Sequence, residues 1–177
     1  MDFFDLIHQR ESCRDYAQTP VDTALLKKCV DAACLAPSAC NSQPWFFTVV
    51  NRPDLSAQVA TCTQEFGMNK FTDNTPAFII INEEKANLSA KLGGIVKSQE
   101  YAPIDIGLAT AQLCLAATEL GLSTCIIGAF KESKLKKLLN IDKTKRIRLV
   151  IAVGYAAKEG VREKRRKPSE DTTAYIE

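Results

Sequence analysis

Arg10, Ser12 and Arg14 recur at every second position, and the stretch 37–45 crowds two prolines, two serines and two amides into nine residues. In an extended segment side chains alternate, so both guanidinium groups and the hydroxyl point to one side. Guanidinium forks bind oxyanions bidentately, and such a cluster suits a phosphate or an electron-rich ring system. The competing arrangement is a solvated loop whose arginines pair with Glu11 and Asp15. In the second stretch, Ser38, Asn41, Ser42 and Gln43 offer donors and acceptors on a proline-stiffened backbone, which suits a planar polar ligand. A polar turn capping the preceding helix accounts for the same residues, although a short connection needs fewer turn formers. A third group, Arg162, Lys164, Arg165, Arg166 and Lys167, lies near the C-terminus with only Glu163 opposing it.

The elements that must position these groups follow from periodicity. Asp2 caps a short first helix whose Phe3, Phe4, Leu6 and Ile7 are expected to face a core. Asp22 caps a helix reaching Leu35, with Leu25, Leu26, Cys29, Val30 and Ala33 on one stripe. The polar loop then leads into a buried strand at 45–50. Asn51-Arg52-Pro53-Asp54 breaks it before a helix over 54–64. Asn69 and Lys70 precede a second strand at 77–81. The polar segment 82–99, with Gly93-Gly94 inside it, reads either as a lid or as a surface helix. Pro103 opens the longest helix, and Gly121 closes it. This helix is apolar almost all round, which places it centrally or against a second subunit. Asp105 falls in its first turn, where the helix dipole favours a carboxylate. A third strand ends at Ile127-Gly128, where glycine lets a ligand approach the backbone. A helix over 132–139 and a strand over 147–155 follow, and 172–176 is read as a short edge strand, on a partner if not on its own chain.

Composition narrows the function. At 177 residues, 46% hydrophobic and 25% charged, the chain is expected to form one domain over 1–177. A net charge of +2 gives no long-range pull toward nucleic acid or membrane. No run approaches the roughly 18 apolar residues of a membrane span, and no basic leader precedes an apolar segment, so a cytoplasmic location is expected. Seven cysteines, an odd number, are expected as reduced thiols, with Cys40 the one to test for reactivity. No CxxC occurs, and the single histidine, His8, has no cysteine at zinc-site spacing, so no metal is expected. GxGxxG and GxxxxGK[ST] are absent, which excludes the usual dinucleotide and Walker phosphate loops.

Arg10-x-Ser12-x-Arg14, Pro37-Ser38-x-x-Asn41-x-Gln43-Pro44-Trp45, Asp105-x-Gly107, Gly121-Leu122, Ile127-Gly128 and Lys164-x-Arg166-x-Pro168 occur in the order typical of the nitroreductase family of FMN enzymes, and the chain resembles a compact member of it. The resemblance implies an α+β fold with a central, mostly antiparallel sheet flanked by helices, assembled as an intertwined homodimer whose C-terminal tail, 160–177, packs on the partner. It implies an FMN at the subunit interface. Arg10, Lys164 and Arg166 would hold its phosphate and ribityl end, with Ser12 assisting. Arg14 and Lys70 would lie toward the N1 and O2 edge, with Asn69 nearby. Pro37, Ser38, Ala39 and Asn41 would come from the other subunit, with Gln43 bracing that loop. The backbone at Ile127-Gly128 would meet N5 and O4. Many relatives carry a carboxylate where this chain has Ile127, which bears on substrate preference rather than on flavin binding.

The implied activity is ping-pong transfer of hydride from NADH or NADPH, through flavin N5, to a nitroaromatic, a quinone or a similar planar electrophile. No catalytic side chain is required, because the chemistry is the cofactor's. The alternatives are a flavin storage or sensor protein, and a family member that dehalogenates substrates or fragments flavin.

Overall fold

Strand β2 (Ala77–Glu83) shows why the chain folds in layers, because its apolar residues face both ways. Ala77, Ile79 and Ile81 join one hydrophobic cluster, while Phe78 and Ile80 join another on the opposite face. A strand buried on both faces needs a helical layer on each side. The computed structural model describes residues 1–85 and 99–177 and supplies both layers. Its four antiparallel strands run in the order β1 (Trp45–Val50), β2, β4 (Arg146–Gly154), β3 (Ser123–Ile127). Helices α2 (Thr23–Cys34) and α4 (Tyr101–Glu119) cover one face; α3 (Pro53–Thr63) and α5 (Glu132–Leu138) cover the other.

Local chemistry fixes the helix ends. Asp22 accepts from Ala24 N at 2.8 Å and caps α2, and Asp2 accepts from Asp5 N at 2.9 Å and caps α1 (Phe3–Gln9). Gly121, at φ +76°, provides the left-handed turn after α4. Gly154 is demanded by packing instead: a Cβ there would lie 2.7 Å from the Pro76 ring and 2.9 Å from Tyr16. Tyr16 is buried and donates from its hydroxyl to Ala152 O at 3.2 Å, and burial pushes its phenol far above the usual tyrosine range.

Four expectations are corrected. Helix α1 buries none of its residues: Phe3 is 60% exposed and Phe4 is 70% exposed, so the chain's own core does not cover them. Helix α4 starts at Tyr101, with Pro103 inside the first turn, where its missing N–H has no intrahelical partner to lose. Of the segment 82–99, Asn82 and Glu83 complete β2 past a bulge at Ile81/Asn82, and a lid over 86–98 lies outside the described residues. Residues 172–176 form no strand on their own chain.

Candidate functional site

The two ends of the chain meet beside β3. Ser12 bridges Thr124 in parallel, and Cys13 N donates to Thr124 O at 2.9 Å, which holds 10–14 extended along the sheet edge. Arg162 then fastens the tail to that segment. Its Nε donates to Glu11 Oε2 at 2.9 Å and its Nη2 to Ser12 O at 2.6 Å. Lys164 Nζ donates to His8 O. The result is a cleft of about 690 Å3 lined only by residues of 10–14 and 162–166, among them Arg10, Ser12, Arg14, Lys164 and Arg166.

The carboxylates that were candidates to neutralise these arginines are engaged elsewhere. Glu11 pairs with Arg162, and Asp15 pairs with Lys158 at 3.4 Å. Among the described residues, Arg10 and Arg14 have no ion-pair partner. Partial burial, with Arg10 and Arg166 nearby, holds the Lys164 ammonium below the usual lysine range, against a smaller opposing pull from Glu11. The cations of this cleft outnumber its two carboxylates, Glu11 and Glu163, and Glu11 is held by Arg162, so the lining suits an anionic guest, and a phosphate monoester with its polar chain fits this donor set.

The polar loop is held from two sides. The expected first-turn position of Asp105 is corrected, since α4 opens at Tyr101 and leaves Asp105 beyond that turn; instead Ala39 N donates to both oxygens of this buried carboxylate at 3.2 Å, which fixes the loop on α4. Ser38 Oγ accepts from Gln43 N at 2.9 Å, and Gln43 Nε2 donates to Asn41 Oδ1 at 3.1 Å, so Gln43 braces the loop. Cys40, Asn41 and Gln43 all adopt positive φ, of 52°, 50° and 47°. Left-handed non-glycine residues cost on the order of 1–3 kcal/mol each and persist where the surroundings over-determine them. Asp105→Ala leaves the Ala39 amide without its acceptor, an expected loss of about 1–3 kcal/mol, read by denaturant unfolding and by amide exchange at Ala39. Unchanged exchange there would mean that Asp105 does not hold the loop.

A third group meets at the end of β3. Asn69, itself left-handed at φ 55°, donates from Nδ2 to Thr63 O at 3.0 Å and to Ala129 O at 3.4 Å, which ties the Asn69-Lys70 turn to the Ile127-Gly128-Ala129 exit. The Ile127 side chain is buried, whereas Gly128 is exposed and a Cβ on it would meet open space. Gly128 therefore answers no internal packing need.

Within one chain the three groups stay separate, since Pro37, Ser38, Ala39, Asn41, Asn69, Lys70, Ile127 and Gly128 do not line the basic cleft. Two features escaped the sequence reading. Arg162 was counted among the tail cations without its latch to Glu11, a contact across 151 positions. Phe66 is 90% exposed at φ +53° on the turn leading to Asn69, and an aromatic residue has no sequence signal for that backbone.

The nitroreductase family model matches residues 7–155. The oxygen-insensitive NADPH nitroreductase of Helicobacter pylori is 26% identical over 91% of this chain and 90% of its own length. Human iodotyrosine deiodinase 1 is 24% identical over 94% of this chain and 66% of its own. The FMN-dependent nitroreductase of Clostridium difficile R20291 superposes with a TM-score of 0.75 at 23% identity, covering 98% of both chains. A family match across most of the chain, on the α+β architecture and loop sequence already described, makes this protein a member of the nitroreductase family.

Proposed function

We propose that the protein is an FMN-dependent NAD(P)H oxidoreductase, active as a homodimer in the cytoplasm. The observation that carries this reading is the basic cleft drawn from both chain ends, in which Arg10 and Arg14 have no carboxylate of their own. Arg10, Lys164 and Arg166 bind the phosphate end, and Ser12 adds a hydroxyl. Arg14 and Lys70 stand toward the pyrimidine edge, where cations favour added negative charge. Asn69 orients the turn that carries Lys70, and the Gly128 backbone lets the ring approach without a Cβ in the way. Pro37, Ser38, Ala39 and Asn41 close the site from the partner, on a loop that Asp105 and Gln43 keep rigid. When bound, the flavin supplies hydride transfer between a nicotinamide and an acceptor.

Three exposed apolar regions support the dimer. Helix α1 presents Phe3 and Phe4, α4 presents Ile104 and Leu108, and the outer edge of β1, which pairs with no further strand among the described residues, presents Phe46 and Val49. The tail 160–177 ends in exposed Tyr175 and Ile176, which suit packing on a second copy. All seven cysteines lie outside disulfides, as suits a reducing compartment. Among the described residues, no helix is long and apolar enough to cross a membrane.

The decisive experiment is anaerobic titration of the FMN-loaded protein with NADH and NADPH, followed by acceptors. Bleaching by a nicotinamide and recovery of colour on adding a nitroaromatic or a quinone support the reading. A protein that stays colourless with added FMN refutes it, and one that stays yellow under both nicotinamides is a flavin store or sensor. Halogenated phenols belong in the same panel, given the deiodinase among the relatives.

The cleft also predicts a pH dependence. Lys164 starts below the usual lysine range, and a bound phosphate raises it, so binding takes up a proton between the two values. FMN affinity should therefore fall as pH rises through that interval, and Lys164→Met should flatten the profile. An equally steep profile in the variant would assign the titration elsewhere.

A further inference from the structure

Between Lys131 and Arg148 the chain carries eight basic and two acidic residues, a surplus of six charges, whereas the whole protein is only +2. The fold leaves Lys134, Lys137, Lys143 and Arg146 of that surplus exposed. Two acids line the same cleft: Glu132 holds Lys136 at 2.8 Å and accepts from Ile147 N at 2.9 Å, while Asp142 accepts from Thr144 N at 2.7 Å and keeps its charge. Glu84 pairs with Lys145, and Glu83 with Arg148. Lys131, Lys134, Lys137, Lys143 and Arg146 have no ion-pair partner among the described residues. Helix α5 and the turn after it, where Asn140 is left-handed at φ 52°, bring Lys136, Lys137 and Lys143 around one cleft of about 830 Å3.

This face adjoins the candidate site. Lys131 stands three residues beyond Gly128, and its N–H donates to Cys62 O at 2.8 Å, while the intervening Ala129 carbonyl accepts from Asn69. Basic charge that flanks a redox site, rather than lining it, serves encounter. It steers an oppositely charged partner while leaving the site open to small molecules.

We propose that the α5 face docks a small acidic electron-carrier protein, giving the flavin a second source of electrons beside the nicotinamide; this rests on the flavoenzyme reading above. Two reduced carriers each lose one electron, and solvent contributes the proton that hydride would otherwise have carried. Such encounters use small, charge-steered interfaces, in keeping with a patch built on one short helix and its turn. Nucleic acid fits less well, because no aromatic residue lies between Lys131 and Arg148 to stack a base.

The test uses the FMN-loaded full chain and a reduced plant-type [2Fe–2S] ferredoxin as probe, under anaerobic conditions. Binding is followed by biolayer interferometry and flavin bleaching by stopped flow. The expected result is micromolar binding that weakens steeply with salt, and bleaching without nicotinamide. Combined Lys134→Glu, Lys137→Glu and Lys143→Glu substitution should weaken binding by about tenfold or more, with FMN content and bleaching by NAD(P)H unchanged. Absence of salt-dependent ferredoxin binding, or binding indifferent to the triple substitution, overturns the proposal. So does a single-stranded DNA oligonucleotide that binds in a substitution-sensitive way while ferredoxin does not. A protein bleached by NAD(P)H that ignores ferredoxin sinks this inference alone, whereas a protein that takes up no FMN sinks the underlying reading.

Discussion

Leu108→Asp should yield a folded monomer that no longer retains FMN. Leu108 is 43% exposed and Ile104 is 47% exposed, one turn apart on α4, and the exposed Gly107 between them meets nothing within 4 Å of its Cβ position. Glycine inside a helix costs roughly 0.5–1 kcal/mol relative to alanine, so its place here suits a close approach from outside the chain. Seating an unpaired carboxylate in such an interface costs about 3–5 kcal/mol, two to four orders of magnitude in dimer dissociation. The fold itself should survive, because Leu108 contributes little to the buried clusters. Sedimentation measures the association, and flavin absorbance per chain measures the cofactor. A monomer holding a full complement of FMN contradicts a site shared between subunits, and an undisturbed dimer removes this face of α4 from the interface.

Arg10→Ala should weaken FMN binding by about 1.5–3 kcal/mol, roughly ten- to 150-fold in Kd, through loss of a charge-assisted contact to phosphate. The side chain is half-buried in the cleft, and no carboxylate competes for it among the described residues. Arg10→Lys should recover only part of the loss, since an ammonium keeps the charge without the planar fork. The wild-type Kd should also rise with salt more steeply than that of the alanine variant. Fluorescence quenching of FMN reads all three proteins, and an unaltered Kd in the alanine variant would take Arg10 out of the site.

Local chemistry was readable and long-range closure was not. The caps at Asp2 and Asp22 depend on a side chain and an amide two or three positions away, so residue order suffices to find them. Alternation likewise exposed Arg10, Ser12 and Arg14 as a set. By contrast, the apolar face of α1 looked like core because periodicity tells which residues share a side, never what lies against it. The strand order β1-β2-β4-β3 joins segments whose pairing no local pattern specifies. Asp105 illustrates the middle ground. Its place near the start of the helix was evident, but the helix opens at Tyr101 and leaves it beyond the first turn, and its acceptor role toward Ala39 spans 66 positions and emerges only when α2 and α4 pack side by side.

The latch between Arg162 and the Glu11-Ser12 segment has a consequence for how the holoprotein is made. The groups that would grip the phosphate stand about 150 positions apart in sequence, so the cradle is complete only once both segments have been made and brought together. A chain stopped after residue 160 should therefore fold around its intact sheet yet emerge colourless. Recovery of that truncated chain with a full load of flavin would show that the tail is dispensable for maturation.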